Sequence, residues 1–371
     1  MPRAPSRFAS RLALVPRASL KRLFSGRREK PTHPRRILVV HQLLLGDTFM
    51  LTALLARLRR RYPLAEVVMT VSPRYFPLYA TRPYGVRAVS LDLRDRQSVK
   101  KLLEEAPFDL ALVPGDNRYA VPALALGSRW VVALAGDRPV WKNRFIDELV
   151  GIPAEPTALA DMFALLAGED DGAVYAQADW ARPESEPFDL PRGDYAVLHV
   201  GAGSPLRLWP SDRWQRVGAW LEGNGLNVVL SAGPGEEGLI ADIDPERRLR
   251  SYAGTLDLPQ LWRLMERARL LVCLDTGVSH LAKISFTPAV VLYGPGSAQL
   301  FGPGHFWRNN PYRAVTIESY PCRDQRTLFK REIAWVRRCQ RSLRECPAPR
   351  CMQAIDVAAV ERAVSELLER I

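Results

Sequence analysis

Short apolar segments alternate with longer amphipathic segments along the first half of the chain. The apolar segments are residues 37–41, 67–71, 86–91, 109–113 and 130–135. Residues 48–62, 99–105 and 119–126 lie between some of them, and the first of these has leucines at helical spacing. Strands that alternate with helices in this way favour a doubly wound parallel sheet.

A second alternation of the same kind follows a looser stretch of chain. Residues 138–192 are rich in proline, and this composition is typical of a hinge. The pattern then predicts strands at 195–200, 227–232, 249–253, 270–274 and 289–293, and helices at 211–222, 258–268 and 357–371. Two α/β halves joined by a linker imply a cleft between them, and clefts are where ligands usually bind.

Residues 269–295 carry the pattern around which the second half is organised. An apolar strand is followed by the polar turn Asp275–Thr276–Gly277, an amphipathic helix and a second apolar strand. This is the order of a parallel βαβ unit. The free N–H groups and the dipole at the start of such a helix favour an anion, so the turn is predicted to bind phosphate.

Composition and charge narrow the class of protein. The chain has 371 residues, of which 47% are hydrophobic and 25% charged, so it can bury two domain cores. No apolar run approaches the roughly 18 residues of a spanning helix. The net charge of +12 is uneven: residues 1–36 contribute +10, residues 320–351 contribute +6, and the remainder is slightly acidic.

The N-terminal segment interleaves apolar and basic residues, among them Leu12, Leu20, Arg11 and Arg22. Such stretches bind anionic membrane surfaces, at about 1 kcal/mol per basic residue. A disordered tail and a transit peptide are the other interpretations. A secretory signal is disfavoured because the apolar core and the cleavage site are missing. Nucleic-acid binding is the least favoured alternative, since no defined face interleaves basic and aromatic residues.

Asp47 is the first candidate for chemistry. It follows Gly46 at the carboxyl end of the first predicted strand, and Gly46 permits close approach of backbone or ligand. A partly desolvated carboxylate there could accept a proton from a hydroxyl group. Asp is also a preferred helix N-cap, so the residue alone leaves both interpretations open.

A second group of candidates follows the strands of the second half. Gly201 and Gly203 keep a turn open for phosphate, and Arg207 supplies a fixed cation. Glu236 ends a neighbouring strand, where a carboxylate can bind ribose hydroxyls, or it is an ordinary first-turn acid. His280 lies one turn after Gly277, where it either positions phosphates or packs in the core. No dinucleotide fingerprint is present.

Five cysteines in a chain of this kind are not expected to form disulfides. Cys273 lies in an apolar strand and is predicted to be a core residue. Cys322, Cys339, Cys346 and Cys351 fall within thirty residues. Four thiolates could hold zinc or iron tetrahedrally, but no C-x-x-C pair is present, so reduced free thiols remain the other interpretation.

Four motifs together resemble glycosyltransferase family 9, the lipopolysaccharide heptosyltransferases. They are LLLGD at 43–47, HVGAGSPLRLWPSDRW at 199–214, SAGPGEE at 231–237, and LDTGVSHLAK at 274–283 followed by AVVLYGP. The set spans roughly residues 36–355 in the family order. The resemblance implies an α/β GT-B fold, in which two Rossmann-like doubly wound domains face a cleft. It also implies inverting transfer with no cofactor required for catalysis.

The resemblance implies roles for the candidate residues. Asp47 matches the general base and Glu236 the ribose contact, while Asp275, Thr276, Gly277 and His280 match the diphosphate-binding turn. Arg207 stands where the family typically has lysine, which keeps the charge and changes its geometry. His41–Gln42 stands where a basic residue is more usual in the family. This difference concerns the preference for the acceptor. Some members carry cysteine-bearing C-terminal segments, including protein-glycosylating relatives with an iron-binding motif.

The expected organisation is a basic, flexible extension (1–35), an acceptor domain (36–185), a nucleotide-sugar-binding domain (190–320) and a basic cysteine-bearing segment with a C-terminal helix (321–371). The expected partners are a nucleotide-diphosphate sugar, a lipid-linked glycan acceptor and an anionic membrane surface. The chain is accordingly predicted to be a cytoplasmic enzyme, peripheral on the inner membrane, that transfers a heptose-like sugar from an ADP-sugar to a lipopolysaccharide core. The alternatives are a protein or other glycan acceptor, or an inactive nucleotide-sugar-binding scaffold.

Overall fold

The first half of the chain folds around a parallel sheet in the computed structural model, which describes residues 14–20, 22, 29–169 and 172–370. Its strands are β1 (Arg36–Val39), β2 (Glu66–Val71), β3 (Arg87–Ser90), β4 (Leu110–Val113), β5 (Trp130–Leu134) and β6 (Glu148–Val150). They lie in the order β3-β2-β1-β4-β5-β6. Its helices are α1 (Leu45–Met50), α2 (Thr52–Arg61), α3 (Arg96–Glu104), α4 (Ala120–Ala125) and α5 (Leu159–Ala164).

The second half repeats this topology. Its strands are β7 (Tyr195–His199), β8 (Asn227–Ser231), β9 (Arg250–Ser251), β10 (Leu270–Leu274), β11 (Ala289–Tyr293) and β12 (Tyr312–Thr316), in the order β12-β11-β10-β7-β8-β9. Its helices are α6 (Ser211–Gly223), α7 (Glu237–Ile243), α8 (Leu258–Glu266), α9 (Gly277–Ser285) and α10 (Ala298–Phe301). Both sheets are parallel throughout and therefore expose the carboxyl ends of several strands along one edge.

The C-terminal segment returns to both halves. A two-stranded hairpin, β13 (Thr327–Leu328) with β14 (Arg331–Glu332), precedes α11 (Arg350–Gln353) and α12 (Val357–Leu368). The apolar face of α12 packs on the second sheet through Val360, Val364 and Leu367. Arg331 is buried and donates to the carbonyls of Ala135 (2.9 Å) and Leu134 (3.1 Å), so the hairpin is fixed to the first half.

The two halves share one apolar core. Trp180, in the linker, is 1% exposed and packs edge-on against Phe49 of the first half and Trp262 of the second. Its indole N–H donates to the carbonyl of Leu78 at 3.1 Å. Burial of large aromatic side chains contributes several kcal/mol each, so the linker holds the halves together.

Some local predictions were wrong. The helix predicted at 48–62 is two helices, α1 and α2, which are separated by Leu51. Strand β6 was missed, since its three residues Glu148–Val150 are too few to show a pattern.

The N-terminal extension is only partly described. Residues 14–20 form a helix in which Leu14 and Ala18 are buried against the first half, so this part is docked where a flexible extension was expected. Residues 1–13, 21 and 23–28, including Leu12 and Arg11, lie outside the described residues. Within the described part of the chain, no helix is long and apolar enough to cross a membrane.

Candidate active site

One helix from each half meets the other at a pair of glycines. A Cβ atom added to Gly46 of α1 would lie 2.7 Å from Cδ2 of His280. A Cβ atom added to Gly277 of α9 would lie 3.0 Å from Cδ2 of Leu45. Side chains at these two positions would force the helices apart, so glycine permits the contact. The contact places Asp47, on α1, beside the first turn of α9.

Asp47 is the third residue of α1, whose N-cap is Leu44 with no side-chain cap. The N-cap interpretation of Asp47 is therefore wrong, and its carboxyl is free for another use. Burial raises the pKa of Asp47 to about 6; the Arg338 and Arg207 guanidinium groups oppose the shift, and the Asp275 carboxyl adds to it. A carboxylate with a pKa near neutrality is suited to accept a proton.

The first turn of α9 has the predicted form of an anion site. Thr276 is the N-cap, and its Oγ1 accepts the N–H of Val278 at 3.3 Å. The N–H groups of Thr276 and Gly277 have no intrahelical acceptor, and they carry the positive end of the helix dipole. Asp275 precedes the turn; its Oδ2 is buried and has no hydrogen-bond partner among the described residues. Burial raises the pKa of Asp275, while Arg207 opposes the shift.

Arg207 reaches this turn from the neighbouring strand. It ends a short 3-10 turn after β7, and its Nη1 donates to the main-chain carbonyl of Asp275 at 2.6 Å. One edge of the guanidinium is thereby fixed while the side chain still lines the cavity. The arrangement holds a permanent positive charge next to the free N–H groups of α9.

His280 and Lys283 are buried on α9. The His280 ring lies edge-on to Phe301, its Nδ1 has no hydrogen-bond partner among the described residues, and burial holds its pKa well below the usual value. Lys283 Nζ donates to the carbonyls of Phe301 (2.8 Å) and Gly302 (3.1 Å). Burial lowers the pKa of Lys283 to about 7. Lys283, which the sequence did not single out, thus connects α9 to the end of α10.

With the exception of Lys283, these groups line one cavity of 340 Å³ between the halves. The C-terminal segment adds side chains that sequence reasoning missed, above all Arg338. Only its position next to Cys339 in a basic run could have drawn attention to it. The lining residues are Leu44, Gly46, Asp47, Arg207, Asp275, Thr276, Gly277, His280, Phe301, Leu328, Phe329, Arg338 and Gln340.

Gly201 and Glu236 lie together, but they do not line this cavity. Glu236 Oε2 accepts the N–H of Gly233 at 2.8 Å, and a Cβ atom on Gly201 would overlap the same carboxylate. Glu236 stands at the N-cap position of α7, although its side chain makes no cap. The structure therefore joins these two residues at the ends of β7 and β8, and the ribose role of Glu236 stays a prediction.

The four C-terminal cysteines line a different cavity, of 420 Å³. Cys339 Sγ is 3.8 Å from Nη1 of Arg341, and burial raises the pKa of Cys322 and Cys351. Among the described residues, no three histidine, cysteine or acidic side chains stand where they could hold a metal ion. Cys273, by contrast, is buried in β10, as predicted for a core residue.

Two Rossmann-like domains around a shared cavity define the GT-B class of glycosyltransferases. The family model of glycosyltransferase family 9 (heptosyltransferase) matches residues 96–332. Because the match covers more than half of the chain, the protein belongs to this family and is a glycosyltransferase. The predicted family, GT-B fold and enzyme class are confirmed, whereas the domain boundaries and the roles of the site residues stay predictions.

Named relatives agree with this assignment. Lipopolysaccharide heptosyltransferase 3 of Escherichia coli (strain K12) is 25% identical over 307 residues, which cover 73% of this chain and 87% of that protein. A family 9 glycosyltransferase from Veillonella parvula DSM 2008 superposes with a TM-score of 0.70 at 18% identity, covering 91% of this chain and 98% of that one.

Two further solved structures share the fold. ADP-heptose lps heptosyltransferase II of E. coli has a TM-score of 0.66 at 20% identity, with 90% of this chain and 99% of that one covered. The iron-containing dodecameric glycosyltransferase TibC of enterotoxigenic E. coli H10407 has a TM-score of 0.57 at 16% identity, with 92% of this chain and 78% of that one covered. At these identities the likeness concerns the fold.

The raised pKa of Asp47 predicts a pH-dependent cost in stability. Its pKa is raised in the folded state, so its contribution is fully favourable below about pH 4 and is lost as the pH rises through about 6. The loss is at most about 3 kcal/mol, at 1.36 kcal/mol per pKa unit. Asp47→Asn should therefore gain stability relative to the wild type between pH 4.5 and pH 7.5 (roughly the window set by linkage), as measured by chemical denaturation.

The exposed residue Asp194 provides the control. Asp194→Asn should shift the free energy of unfolding equally at both pH values. If Asp47→Asn also shows the same difference from the wild type at both values, then the surroundings of Asp47 do not raise its pKa.

Proposed function

We propose that this glycosyltransferase transfers a heptose-like sugar, with inversion, from an ADP-sugar to a lipopolysaccharide core acceptor. One observation carries the proposal: a carboxylate from the first half and the cation and helix start of the second half face the same cavity. A displacement at a sugar carbon requires a base for the acceptor hydroxyl and a diphosphate site that both reach the same sugar. The names of the relatives, which include ADP-heptose and lipopolysaccharide, support the sugar, the nucleotide and the acceptor.

In this scheme Asp47 takes the proton from the acceptor hydroxyl. The oxygen attacks the anomeric carbon from the face opposite the diphosphate, so the C–O bond to ADP breaks as the new bond forms and the configuration inverts. Arg207 and the N–H groups of Thr276 and Gly277 stabilise the negative charge that builds on the departing ADP. His280 lies on the cavity wall beside this turn and would help to position the phosphates.

The donor nucleoside would extend from the diphosphate site towards the ends of β7 and β8. Glu236 would bind the ribose hydroxyls there, after exchanging its hydrogen bond with the N–H of Gly233. Gly201 would keep the turn open for the phosphate. The acceptor would approach from the first half, which carries Asp47.

We propose also that the enzyme is cytoplasmic and peripheral on the inner face of the inner membrane, where a lipid-linked acceptor is presented. Support comes from the exposed apolar side chains of Val15 and Trp141, which lie around one recess with the partly exposed Arg118 and the exposed Lys330. Tryptophan favours the membrane interface, and basic side chains favour anionic lipid.

We further propose that Cys322, Cys339, Cys346 and Cys351 bind zinc or iron as a structural centre. Four thiols in a common cavity are suitable in kind and number, and thiolates would be the ligands. They are not yet in ligating positions in the described structure, so binding would require their side chains to move. TibC is described as iron-containing. The proposed transfer reaction uses no step at this centre.

Replacing Asp47 by Ala should lower kcat by roughly 10²–10⁴-fold, because the general base is lost. ADP affinity should stay near the wild-type value. In the wild type, kcat/KM should rise with pH up to about 6 and then level off, since the carboxylate is the active form. The assay measures ADP release with ADP-heptose and a lipopolysaccharide core that lacks heptose.

Asp212→Ala, on the exposed face of α6, is the matched control and should keep full turnover. Normal turnover of Asp47→Ala would rule out the base role. Transfer to a protein or another glycan, but not to the core, would replace the proposed acceptor. Absence of ADP release with every acceptor would favour the scaffold alternative.

The membrane proposal predicts that the full chain binds vesicles containing phosphatidylserine and not vesicles of phosphatidylcholine alone. High salt should release it, because surface electrostatics are screened. Trp141→Ala should weaken binding, whereas Leu343→Ala, which removes an exposed apolar side chain on the C-terminal segment, should not. Sedimentation measures the bound fraction, and equal binding of both vesicle types would contradict an electrostatic anchor.

The metal proposal predicts about one zinc or iron ion per chain in protein purified without chelators, as expected for a four-thiolate site. Cys346→Ser should reduce the metal content, and Cys273→Ala should retain it because Cys273 lies in the core of the second sheet. Elemental analysis provides the measurement. A metal content far below stoichiometry in the wild type would leave the four cysteines as free thiols.

A further inference from the structure

The side chain of Arg338 lines the candidate active-site cavity. Its guanidinium lies over the ring of Phe301, 5.6 Å from the ring centre, and the side chain is half-buried. Among the residues that the structure describes, no oxygen accepts a hydrogen bond from it and no carboxylate lies within ion-pair distance. A half-buried guanidinium with unused N–H donors is costly unless something else accepts them.

Main-chain hydrogen bonds hold the backbone of Arg338 at the rim of the cavity. Arg338 exchanges two backbone hydrogen bonds with Gln325, at 3.1 and 3.2 Å. The next residue, Cys339, donates its N–H to the carbonyl of Pro295 at 2.9 Å, just after β11. These bonds attach a distant segment of the chain to the rim of the second sheet. The position of Arg338 is therefore built into the fold.

The surroundings of Arg338 identify the kind of ligand that would satisfy it. The other cation of the cavity, Arg207, is already engaged with the carbonyl of Asp275. Two guanidinium groups in one small cavity repel each other, and a ligand with more than one negative charge removes the repulsion. The planar fork of arginine matches pairs of phosphate oxygens. The free N–H groups of α9 face the same space and favour the same anion.

We propose that Arg338 is a binding residue for the donor, and that its guanidinium and Arg207 together hold the diphosphate. This inference rests on the proposed function, because it takes the nucleoside diphosphate from there. It assigns to the cysteine-bearing segment a direct part in donor binding, in addition to any structural role of its thiols.

Calorimetric titration of the full chain with ADP and with adenosine tests this inference. Arg338→Ala should weaken ADP binding by roughly 10- to 100-fold, as expected for the loss of a charge-assisted pair of hydrogen bonds. Adenosine lacks the diphosphate, so its affinity should not change. Arg338→Lys should bind ADP with intermediate affinity, because the charge remains and the fork is lost.

The control is Arg344→Ala, which removes the same charge from an exposed position in the same segment and should bind ADP like the wild type. If Arg338→Ala does not fold, the ADP affinity of Arg338→Lys is compared with that of the wild type instead. Unchanged ADP affinity in both Arg338 variants overturns the inference and leaves the proposed function standing. Equal losses for ADP and adenosine also overturn it, since they indicate a structural role. A wild-type chain that binds no ADP overturns the inference together with the proposed function.

Discussion

The contact between α1 and α9 is the constraint on which the site depends. Gly46 and Gly277 let the two helices approach until Leu45 and His280 touch the facing backbone. This closeness brings the carboxylate of Asp47 in one half beside the first turn of α9 in the other. Neither half contains both groups, so the cavity is assembled only when the two halves pack against each other.

The cavity concentrates polar and ionisable groups that the fold leaves without full hydrogen-bond partners. Asp47 has a raised pKa, while within the described ranges Asp275 and His280 have buried atoms without partners and Arg338 has unused donors. Each of these is unfavourable in the absence of ligand. Groups of this kind gathered in one cavity are typical of a site in which bound substrate supplies the missing partners. The shared aromatic core around Trp180 stabilises the fold and offsets the cost of this arrangement.

The sequence predicted the fold well and the site in part. Buried parallel strands are continuous apolar runs, so β10 and β11 were visible directly, and the turn at Asp275 follows from the βαβ pattern. Strand β6 was too short to be seen. Arg338 and Lys283 could not be recognised, because their importance arises from contacts with residues far away in the chain. Local spacing carries no information about such contacts.

The shared core also affects how the chain is made. Phe49 and Tyr79 of the first half both pack against Trp180. Trp180 also packs against Trp262, which is synthesised later. Domains fold from the N-terminus during synthesis, so an early fold of the first half would expose this apolar surface. Asp47 is then present long before its partners. The nascent chain acquires a complete cavity only after Gln340 has emerged, about 290 residues after Asp47.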